Sequence, residues 1–323
     1  MYINPKVSIV ILTYNAKSSL GSILENAVLS ALNQDYPNIE VLVVDNGSID
    51  ETVSYIREKF GERVKIIELN RNYGYCLGNN LALKYLDKES KYILFLNPDA
   101  VIARDYVKKL VTIAENNPRI AALQGLEINP QKPYKKLGGL LKLSGFYFEL
   151  ESHENKKEMM CLENLFVFGA AMLVRRRIFE IVGGFPADFF LYFDETDLGF
   201  RLRALGLKTV SCGITSYIHY MSGIISKIRE ISIKAYYFAT KNRLRIIYRY
   251  FHSKYLLFAI FINTIIIIQH ILDKPHTLRG VLIRALFRVL RPSNIRKDLT
   301  IRRIYIKGIK KNKILERFVI PRV

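Results

Sequence analysis

The stretch Tyr92-Ile93-Leu94-Phe95-Leu96-Asn97-Pro98-Asp99-Ala100 decides the predicted fold. Its apolar run predicts a strand that is covered on both faces, as the strands of parallel sheets usually are. Pro98 ends the strand and leaves the Asp99 carboxylate on a short turn. Ligands of open α/β sheets bind at this carboxyl edge, and a cation that bridges two phosphates needs only one or two carboxylates. Asp99 is therefore a candidate metal ligand; the alternative is that it caps a helix starting near Arg104.

Runs rich in Val, Ile and Leu on the N-terminal side predict three more strands of this sheet. They cover residues 7–13, 39–45 and 64–69, and amphipathic stretches at residues 18–33, 51–60 and 77–86 predict helices between the strands. This alternation predicts an α/β fold whose mostly parallel sheet is flanked by helices. Farther on, residues 105–116 predict a helix and residues 120–126 a strand. Residues 138–163 are irregular and form either a flexible substrate-side excursion or a plain surface insertion.

Polar side chains follow the first two strands, and the ends of parallel strands face one crevice. They are Thr13, Tyr14 and Asn15 after the first strand and Asp45 and Asn46 after the second. Amides and carboxylates placed there can bind the edge of a pyrimidine base or the hydroxyls of a ribose. For Asp45, a simple turn through Ser48 is an equally good explanation.

A glycine-punctuated segment, residues 72–80, leads into the third predicted helix. Gly74 lets backbone amides approach a ligand, and a helix N-terminus favours an anion there. Asn79 and, beside the strand end, Asn97 add amide side chains to the same crevice. Glycines at helix starts usually serve backbone geometry, so this segment alone is a weak indication of binding.

Three acids, Asp194, Glu195 and Asp197, follow an aromatic run and begin a helix predicted from about residue 195 to residue 205. Asp194 and Asp197 have capping-box spacing, so either has a structural explanation, whereas Glu195 can face the crevice. A helix N-terminus stabilises an ionised carboxylate, which suits a general base at neutral pH. His219 is a candidate second metal ligand only together with these acids, because a lone histidine is more often a hydrogen-bonded core residue.

Charge is distributed unevenly along the 323 residues. Residues 1–222 carry 26 basic and 25 acidic side chains, whereas residues 223–323 carry 23 and 4, so almost all of the net charge of +20 is C-terminal. Such a region has to meet anions, either nucleic acid or the cytoplasmic leaflet of a membrane. We therefore divide the chain into an α/β domain at residues 1–222 and a basic, amphipathic helical extension at residues 223–323.

Two features of the extension favour an anionic membrane surface. Residues 255–272 are apolar with polar interruptions and are shorter than the roughly 20 residues of a comfortable span, which favours a helix lying in the interface over a span. Residues 281–291 predict a second amphipathic helix, with Arg284 and Arg288 on one side. From Arg291 onward the composition is that of an unstructured basic tail.

The cysteines indicate a reducing compartment. Cys76, Cys161 and Cys212 are odd in number and have neither metal-type nor redox-type spacing, which predicts free thiols. Residues 1–6 lead directly into the first strand without the features of a secretory signal. The expected location is the cytoplasmic face of the cell membrane.

Taken as a set, these motifs resemble the family-2 glycosyltransferases of the rhamnosyltransferase-like, non-processive kind. The matching segments occur in the family's order at residues 7–15, 43–48, 72–80, 96–100, 169–172 and 190–198 and at His219. The resemblance implies a GT-A fold, a nucleotide-diphosphate sugar donor, Mg²⁺ or Mn²⁺ as cofactor, and inversion at the anomeric carbon in one direct displacement.

The resemblance also implies roles for single residues. Thr13, Asn15 and Asp45 look like nucleotide contacts, Asp99 and His219 like metal ligands, and Glu195 like the catalytic base. Asn97 stands where the family's metal motif has its first acid, which leaves Asp99 as the principal carboxylate ligand. The branch admits Asp or Glu as the base, so Asp194 is the alternative. The chain has no tryptophan and so lacks the Gln-x-x-Arg-Trp motif of processive synthases, which favours transfer of a single sugar.

The expected reaction is inverting transfer of one sugar from a UDP- or dTDP-sugar, dTDP-rhamnose among them, to a hydroxyl of a lipid-linked or growing cell-surface glycan. The alternative from another class is a basic nucleic-acid-binding α/β protein without catalytic activity. The chain has no base-reading motif, and its C-terminal aromatic residues are not spaced as a stacking platform, so we expect no specific nucleic-acid partner. A nucleotidyltransferase is a third alternative, but residues 13–19 form no glycine-rich phosphate loop.

Overall fold

The order of strands and helices confirms the predicted α/β class. The computed structural model describes residues 4–131, 135–152, 161–220, 229–273, 276–312 and 319–320, so the expected boundary at residue 222 lies outside the described residues. The strands are β1 (Val7–Thr13), β2 (Ile39–Asp45), β3 (Lys65–Glu68), β4 (Tyr92–Leu96), β5 (Ala100–Ile102), β6 (Ile120–Ile128), β7 (Lys135–Lys142), β8 (Tyr147–Ser152), β9 (Cys161–Asn164), β10 (Ala171–Arg175), β11 (Lys208–His219) and β12 (Val319–Ile320). The helices are α1 (Ala16–Leu20), α2 (Ser22–Leu32), α3 (Thr52–Phe60), α4 (Gly74–Ala82), α5 (Tyr106–Asn116), α6 (Arg176–Ile181), α7 (Asp194–Ala204), α8 (Arg229–Tyr250), α9 (Ser253–Asp273), α10 (His276–Val289) and α11 (Pro292–Asn312).

The described strands form one mixed sheet. Its first part has the order β3-β2-β1-β4 and is parallel throughout, as the sequence predicts. The next strand in space is β10, which pairs with β4 and β6 in antiparallel fashion. β11 then runs parallel to β6 and antiparallel to β5 and β9. The sheet is therefore parallel in its N-terminal half and mixed beyond it, because β10 lies between β4 and β6.

Two apolar layers cover the faces of the sheet. On β1, Val7, Ile9 and Ile11 pack into one cluster, while Val10 packs into the other. All four are completely buried, and each such side chain contributes roughly 1.5–3 kcal/mol relative to an exposed one. The continuous apolar runs that predict these strands therefore reflect burial on both faces.

The irregular segment at residues 138–163 contains regular structure. β7 pairs with β6 and with β8, which extends the sheet beyond the predicted strands. β9 pairs with β11 in a register that sets Cys161 opposite Cys212. These two cysteines form a disulfide across 51 residues of chain, with Cα atoms 4.1 Å apart. The expectation of three free thiols is therefore wrong for this pair, because strand pairing rather than sequence spacing brings the sulfurs together; Cys76 is free and buried.

The C-terminal helices pack against the α/β part through buried charges. Arg245 and Arg249 of α8 and Asp298 of α11 are each at most 2% exposed. Asp298 accepts bonds from Arg245 at 2.9 and 2.7 Å and from Arg249 at 2.7 Å. Arg249 also donates to Asp197 of α7 and to Asp188, both at 2.9 Å. The expected unstructured tail after residue 291 is thus corrected: residues 292–312 form a helix, held by a carboxylate whose partners lie 49 and 53 residues earlier.

In the part of the chain that the structure describes, no helix has both the length and the hydropathy that crossing a membrane requires. α9, which contains the whole apolar stretch at residues 255–272, is 21 residues long.

Candidate functional site

Strand pairing brings Asp99 and His219 together. β5 follows Asp99 directly, and β11 pairs with it so that His219 lies opposite Ala100. His219 Nε2 is 3.4 Å from Asp99 Oδ1, and both side chains are 15% exposed. Two residues that are 120 positions apart in the chain thus share one partly buried site at the carboxyl edge of β4, as the sequence predicts for Asp99.

Glu127 is a third member of this site that sequence reasoning missed. β6 runs parallel to β11, with Glu127 opposite Tyr217. The Glu127 carboxylate is 2% exposed, lies 3.4 Å from His219 Nδ1 and accepts a bond of 2.7 Å from the Tyr217 hydroxyl. A carboxylate on the second nitrogen orients a metal-binding histidine and fixes its tautomer. The signal in the sequence is a single acid inside the apolar run of β6.

Two carboxylates flank His219 and stabilise positive charge on its ring. Burial lowers the pKa of His219, but the hydrogen bonds and charges of Asp99 and Glu127 outweigh it and raise the pKa to about 9. A positive charge between these carboxylates is therefore stabilised. Asp99 and His219 supply one carboxylate oxygen and one imidazole nitrogen, a donor set that fits Mn²⁺ better than Mg²⁺. Within the described ranges no group of three or more His, Cys, Asp or Glu side chains is arranged to hold a metal ion.

The predicted nucleotide residues at the ends of β1 and β2 lie side by side. The Thr13 hydroxyl donates to Asp45 Oδ1 at 3.2 Å, and Asp45 Oδ2 accepts the Ser48 amide at 2.8 Å. Asn15 has a left-handed backbone, with φ 48°, and its side chain accepts the Ile49 amide at 2.9 Å. Asp45 therefore forms the turn and also stands at the crevice, so the two explanations of this residue are compatible.

Tyr14 and Asn46 differ in what they leave available to a ligand. Tyr14 is 42% exposed at the mouth of the crevice. Asn46 is 2% exposed; its side chain donates to Asn72 Oδ1 and to the Gly74 carbonyl, both at 3.2 Å, and accepts the Tyr73 amide at 2.9 Å. The Asn46 side chain thus holds the 72–74 loop in place.

The remaining predicted amides, Asn79 and Asn97, make contacts within α4 and beside β4. Asn79 is 1% exposed and donates to the Tyr75 carbonyl at 3.0 Å within α4. Asn97 is partly buried beside Asp99, and its backbone amide donates to the Ala170 carbonyl at 2.8 Å. These contacts fix the backbone on either side of the crevice.

Gly74 brings the crevice loop against the loop that precedes α7. It has φ 77°, and a Cβ atom there would lie 2.5 Å from the Phe190 carbonyl oxygen. The Tyr75 amide donates to that same oxygen at 2.8 Å. Only glycine combines this backbone conformation with this approach.

The backbone leading into α7 is strained. Tyr192 and Phe193 both have left-handed conformations, with φ 69° and 65°, and such residues cost of order 1–3 kcal/mol each. Asn242 of α8 donates to the carbonyl oxygens of Leu191 and Tyr192 at 2.8 and 3.0 Å. A C-terminal helix therefore holds the turn that aims the first residues of α7.

Burial is the main influence on the pKa values of Asp194 and Glu195 at the start of α7. It raises the pKa of Asp194 to about 6. Burial, followed by the charge of Asp194, raises the pKa of Glu195 well above its usual range. The effect of burial on both pKa values therefore exceeds the stabilisation that a helix N-terminus gives an ionised carboxylate. A carboxylate with a raised pKa is a stronger base once it is ionised.

Asp197 is part of the packing rather than a helix cap. The described α7 has no side-chain capping bond at its start. Asp197 is 1% exposed and accepts bonds from Arg201 at 2.7 Å, Arg249 at 2.9 Å and the Tyr250 hydroxyl at 2.6 Å. It ties the first turn of α7 to α8.

Glu195 interacts electrostatically with the acid behind His219. The negative charge of Glu127, which contacts His219, is the smallest contribution to the raised pKa of Glu195, after burial and Asp194. Burial and the charges of Asp194 and Glu195 together raise the pKa of Tyr75, on α4, well above its usual range. The acids at the start of α7 thus act on residues of both β6 and α4.

The mixed α/β sheet, with polar residues at the carboxyl ends of its parallel strands, is that of the GT-A glycosyltransferase fold. The mannosyltransferase PcManGT of Pyrobaculum calidifontis, in complex with GDP-Man and Mn²⁺, superimposes with a TM-score of 0.57 over 97% of this chain and 88% of that one, at 16% identity. GalNAc-T7 with UDP, GalNAc and Mn²⁺ superimposes with a TM-score of 0.65 over 93% of this chain and 58% of that one, at 14% identity.

The chain belongs to glycosyl transferase family 2, whose family model matches residues 8–183. It is 30% identical over 215 residues to the O-antigen chain rhamnosyltransferase RfbN of Salmonella typhimurium, covering 64% of each protein. It is 26% identical over 205 residues to the N-acetylglucosaminyl-diphospho-decaprenol L-rhamnosyltransferase of Mycobacterium tuberculosis, covering 56% of this chain and 66% of that one. A third relative is the low-salt glycan biosynthesis hexosyltransferase Agl10 of Haloferax volcanii, 27% identical over 56% of this chain and 58% of that protein. The chain spans less than two thirds of the length of each of these relatives.

Proposed function

We propose that this protein is an inverting glycosyltransferase that moves a single sugar from a nucleotide-diphosphate sugar to an acceptor hydroxyl. The observation that carries the proposal is the group of Asp99, His219 and Glu127, in which each nitrogen of the His219 ring lies 3.4 Å from a carboxylate oxygen. A cation held there would assist departure of a diphosphate, and buried Glu195 with its raised pKa would assist by accepting the acceptor's proton.

On the donor side, we assign nucleotide binding to the crevice at the ends of β1 and β2. Asp45 and Asn15 offer oxygen and amide groups to the base and the ribose, and exposed Tyr14 offers a ring on which the base can stack. Asp99 and His219 would hold Mg²⁺ or Mn²⁺ with the diphosphate. That cation would neutralise the charge that grows on the departing diphosphate.

On the acceptor side, ionised Glu195 accepts the proton of the attacking hydroxyl. The oxygen forms its bond to the anomeric carbon as the bond from that carbon to the diphosphate breaks, which inverts the configuration. Asp194 raises the pKa of Glu195 and so makes it a stronger proton acceptor. A UDP- or dTDP-sugar, including dTDP-rhamnose, and a lipid-linked or growing cell-surface glycan are the proposed substrates, supported by the rhamnosyltransferases among the relatives.

The test is sugar transfer from a panel of UDP- and dTDP-sugars, each with Mn²⁺ or Mg²⁺. Wild type should transfer one sugar, and Glu195→Gln should bind nucleotide normally but transfer at least about a hundredfold more slowly. Asp99→Asn should lose cation-dependent nucleotide binding. Glu68→Gln, which removes an exposed carboxylate from the ion pair with Arg57, is the matched control. Undiminished transfer by Glu195→Gln would refute the assignment of the base.

We further propose that the C-terminal helices lie on an anionic membrane surface at the cytoplasmic face. Large apolar side chains of α9 and α10 are exposed, with Leu257 at 77%, Phe261 at 62% and Phe287 at 71%. These helices belong to the region with 23 basic and 4 acidic residues. Apolar contact combined with positive charge is what holds interfacial helices on anionic lipid.

Sedimentation with phosphatidylglycerol vesicles tests this placement. Wild type should sediment at low salt, and Phe261→Ser with Phe287→Ser should reduce the bound fraction. Ile181→Ser removes an equally exposed apolar side chain at the end of α6, 62% exposed, and should leave it unchanged. Recovery of wild type only in the supernatant would contradict the placement.

A further inference from the structure

A cavity of about 500 Å³ lies between α8, α10 and the loop that precedes α7. A volume of this size is typical of small-molecule sites. Its walls include the aromatic and apolar side chains Phe190, Tyr237, Phe238 and Val281 and the cations Lys234 and Arg284. None of the described lining residues is acidic, so the cavity combines apolar walls with positive charge.

The cavity lies against the loop that leads to the acids of α7. The ring of Phe190, in that loop, stacks on that of Phe238, with centroids 4.9 Å apart and planes at 17°. The carbonyl of Phe190 accepts the Tyr75 amide at 2.8 Å, and the charges of Asp194 and Glu195 contribute to the raised pKa of Tyr75. Phe190 therefore lines the cavity and also contacts the residue on which those two acids act.

Positive charge extends around the cavity from two helices. Lys234, Tyr237, Phe238 and Lys241 occupy one face of α8, at the spacing of successive turns. The Lys241 ammonium lies 5.2 Å from the centre of the Phe238 ring. Burial, together with the charges of Arg245 and Arg288, lowers its pKa to about 8. The cations that line the cavity itself, Lys234 and Arg284, come from these two helices.

Exposed apolar side chains lie on α10, which lines the cavity, and on α9, the helix before it in the chain. Ile283 and Phe287 of α10 are 43% and 71% exposed, and on the helix they adjoin Arg284 at one and three residues' distance. Phe258 and Phe261 of α9 are 42% and 62% exposed. A ligand with an anionic head in the cavity would meet apolar side chains where its tail leaves.

We propose that this cavity binds the diphosphate and the first isoprenoid units of a lipid-linked acceptor, whose chain then leaves along the exposed apolar side chains of α10 and α9. The proposal rests on the proposed function, because it names how the acceptor of that reaction is held. The two cations of the cavity suit the charged diphosphate of such a ligand. The aromatic side chains of the cavity and the exposed apolar side chains of α10 and α9 suit its hydrocarbon part. The acceptor sugar on the far side of the diphosphate would then lie toward Tyr75 and Glu195.

Calorimetric titration of the full chain with farnesyl diphosphate tests the site directly. The titration is done with EDTA and without nucleotide sugar, so that the diphosphate cannot bind through a cation at Asp99 and His219. We expect Arg284→Gln to weaken binding at least about tenfold, the loss typical of one hydrogen bond to a charged group. Arg303→Gln removes an exposed arginine of α11 and should change nothing. Farnesol and inorganic pyrophosphate should each bind at least about tenfold more weakly than farnesyl diphosphate.

Each opposite result overturns the proposal in a different way. Equal binding of farnesol means that only a hydrophobic patch is present, and equal binding of pyrophosphate means that only a general anion site is present. Loss of binding in Asp99→Asn places the ligand in the donor crevice. Displacement of farnesyl diphosphate by phosphatidylglycerol vesicles assigns the site to lipid headgroups.

The site and the proposed reaction can fail separately. If no donor sugar is transferred but farnesyl diphosphate binding still depends on Arg284, the proposed function fails and the site stands. If transfer proceeds and Arg284→Gln leaves the KM for a polyprenyl-linked acceptor unchanged, the reaction stands and the site is refuted.

Discussion

Removing one buried carboxylate of α11 should destabilise the α/β part of the protein. Asp298 is 1% exposed and accepts three hydrogen bonds from Arg245 and Arg249. Asp298→Asn keeps the shape of the side chain but leaves two buried guanidinium groups with less compensating charge. Breaking a buried pair typically costs about 3–5 kcal/mol. Arg245 retains Asp188 at 2.6 Å, and Arg249 retains Asp197 at 2.9 Å, so we expect the lower end of that range.

A loss of about 3 kcal/mol in a chain of this size should lower Tm by roughly 5 °C. Thermal unfolding by circular dichroism measures the change, and transfer activity should fall with it because Arg249 also holds Asp197 in the first turn of α7. Glu68→Gln is the matched control, since it breaks an ion pair whose partners are 61% and 57% exposed and such pairs contribute about 1 kcal/mol or less. If Asp298→Asn melts within a degree of wild type, the network does not anchor the C-terminal helices.

Three further substitutions test the site. Ionised Glu195 is the reactive form, so kcat/KM should rise with pH through its pKa. Asp194→Asn removes a charge that raises this pKa, so the rising part of the pH profile of kcat/KM should move to lower pH. Complete loss of activity in this variant would instead make Asp194 the base. Glu127→Gln should weaken Mn²⁺ binding by about 10- to 100-fold, the usual effect of losing a carboxylate behind a ligating histidine, and unchanged affinity in a Mn²⁺ titration would contradict that role. Asn242→Ala removes the hydrogen bonds to the carbonyls of Leu191 and Tyr192. It should lower kcat by about tenfold or more with little change in the donor KM, because base and acceptor lose alignment. An unaltered kcat would argue against a positioning role for Asn242.

The fold was predictable wherever hydrophobicity alone determines structure. β1 to β4 are continuous apolar runs, and their predicted limits match the structure within one residue at each end. β11 was not predicted because its sequence, KTVSCGITSYIH, mixes polar and apolar residues on a strand whose partners come from three other segments. Asp99 could be proposed from its own strand, whereas His219 was a candidate only together with the acids, because its own sequence does not indicate a metal ligand.

The charges of the C-terminal region could not be sorted by sequence. Arg245 and Arg249 look like the solvated side of a basic helix, yet both are buried against acids from two other helices and a loop. Glu127 was missed because one acid in an apolar strand gives no indication of its partner. In each case the pairing depends on tertiary contacts between distant segments, which composition and periodicity do not encode.

The interlocking of Gly74 with Phe190 has a consequence for how this scaffold can diversify. No side chain larger than hydrogen fits at position 74 while the Phe190 carbonyl stays where it is, so the loops at residues 72–75 and 189–193 cannot change shape independently. Libraries intended to change sugar preference should exchange residues 72–75 and 189–193 as one cassette from a single homologue. Randomising either loop alone would mostly yield chains in which the two halves of the cleft no longer fit each other.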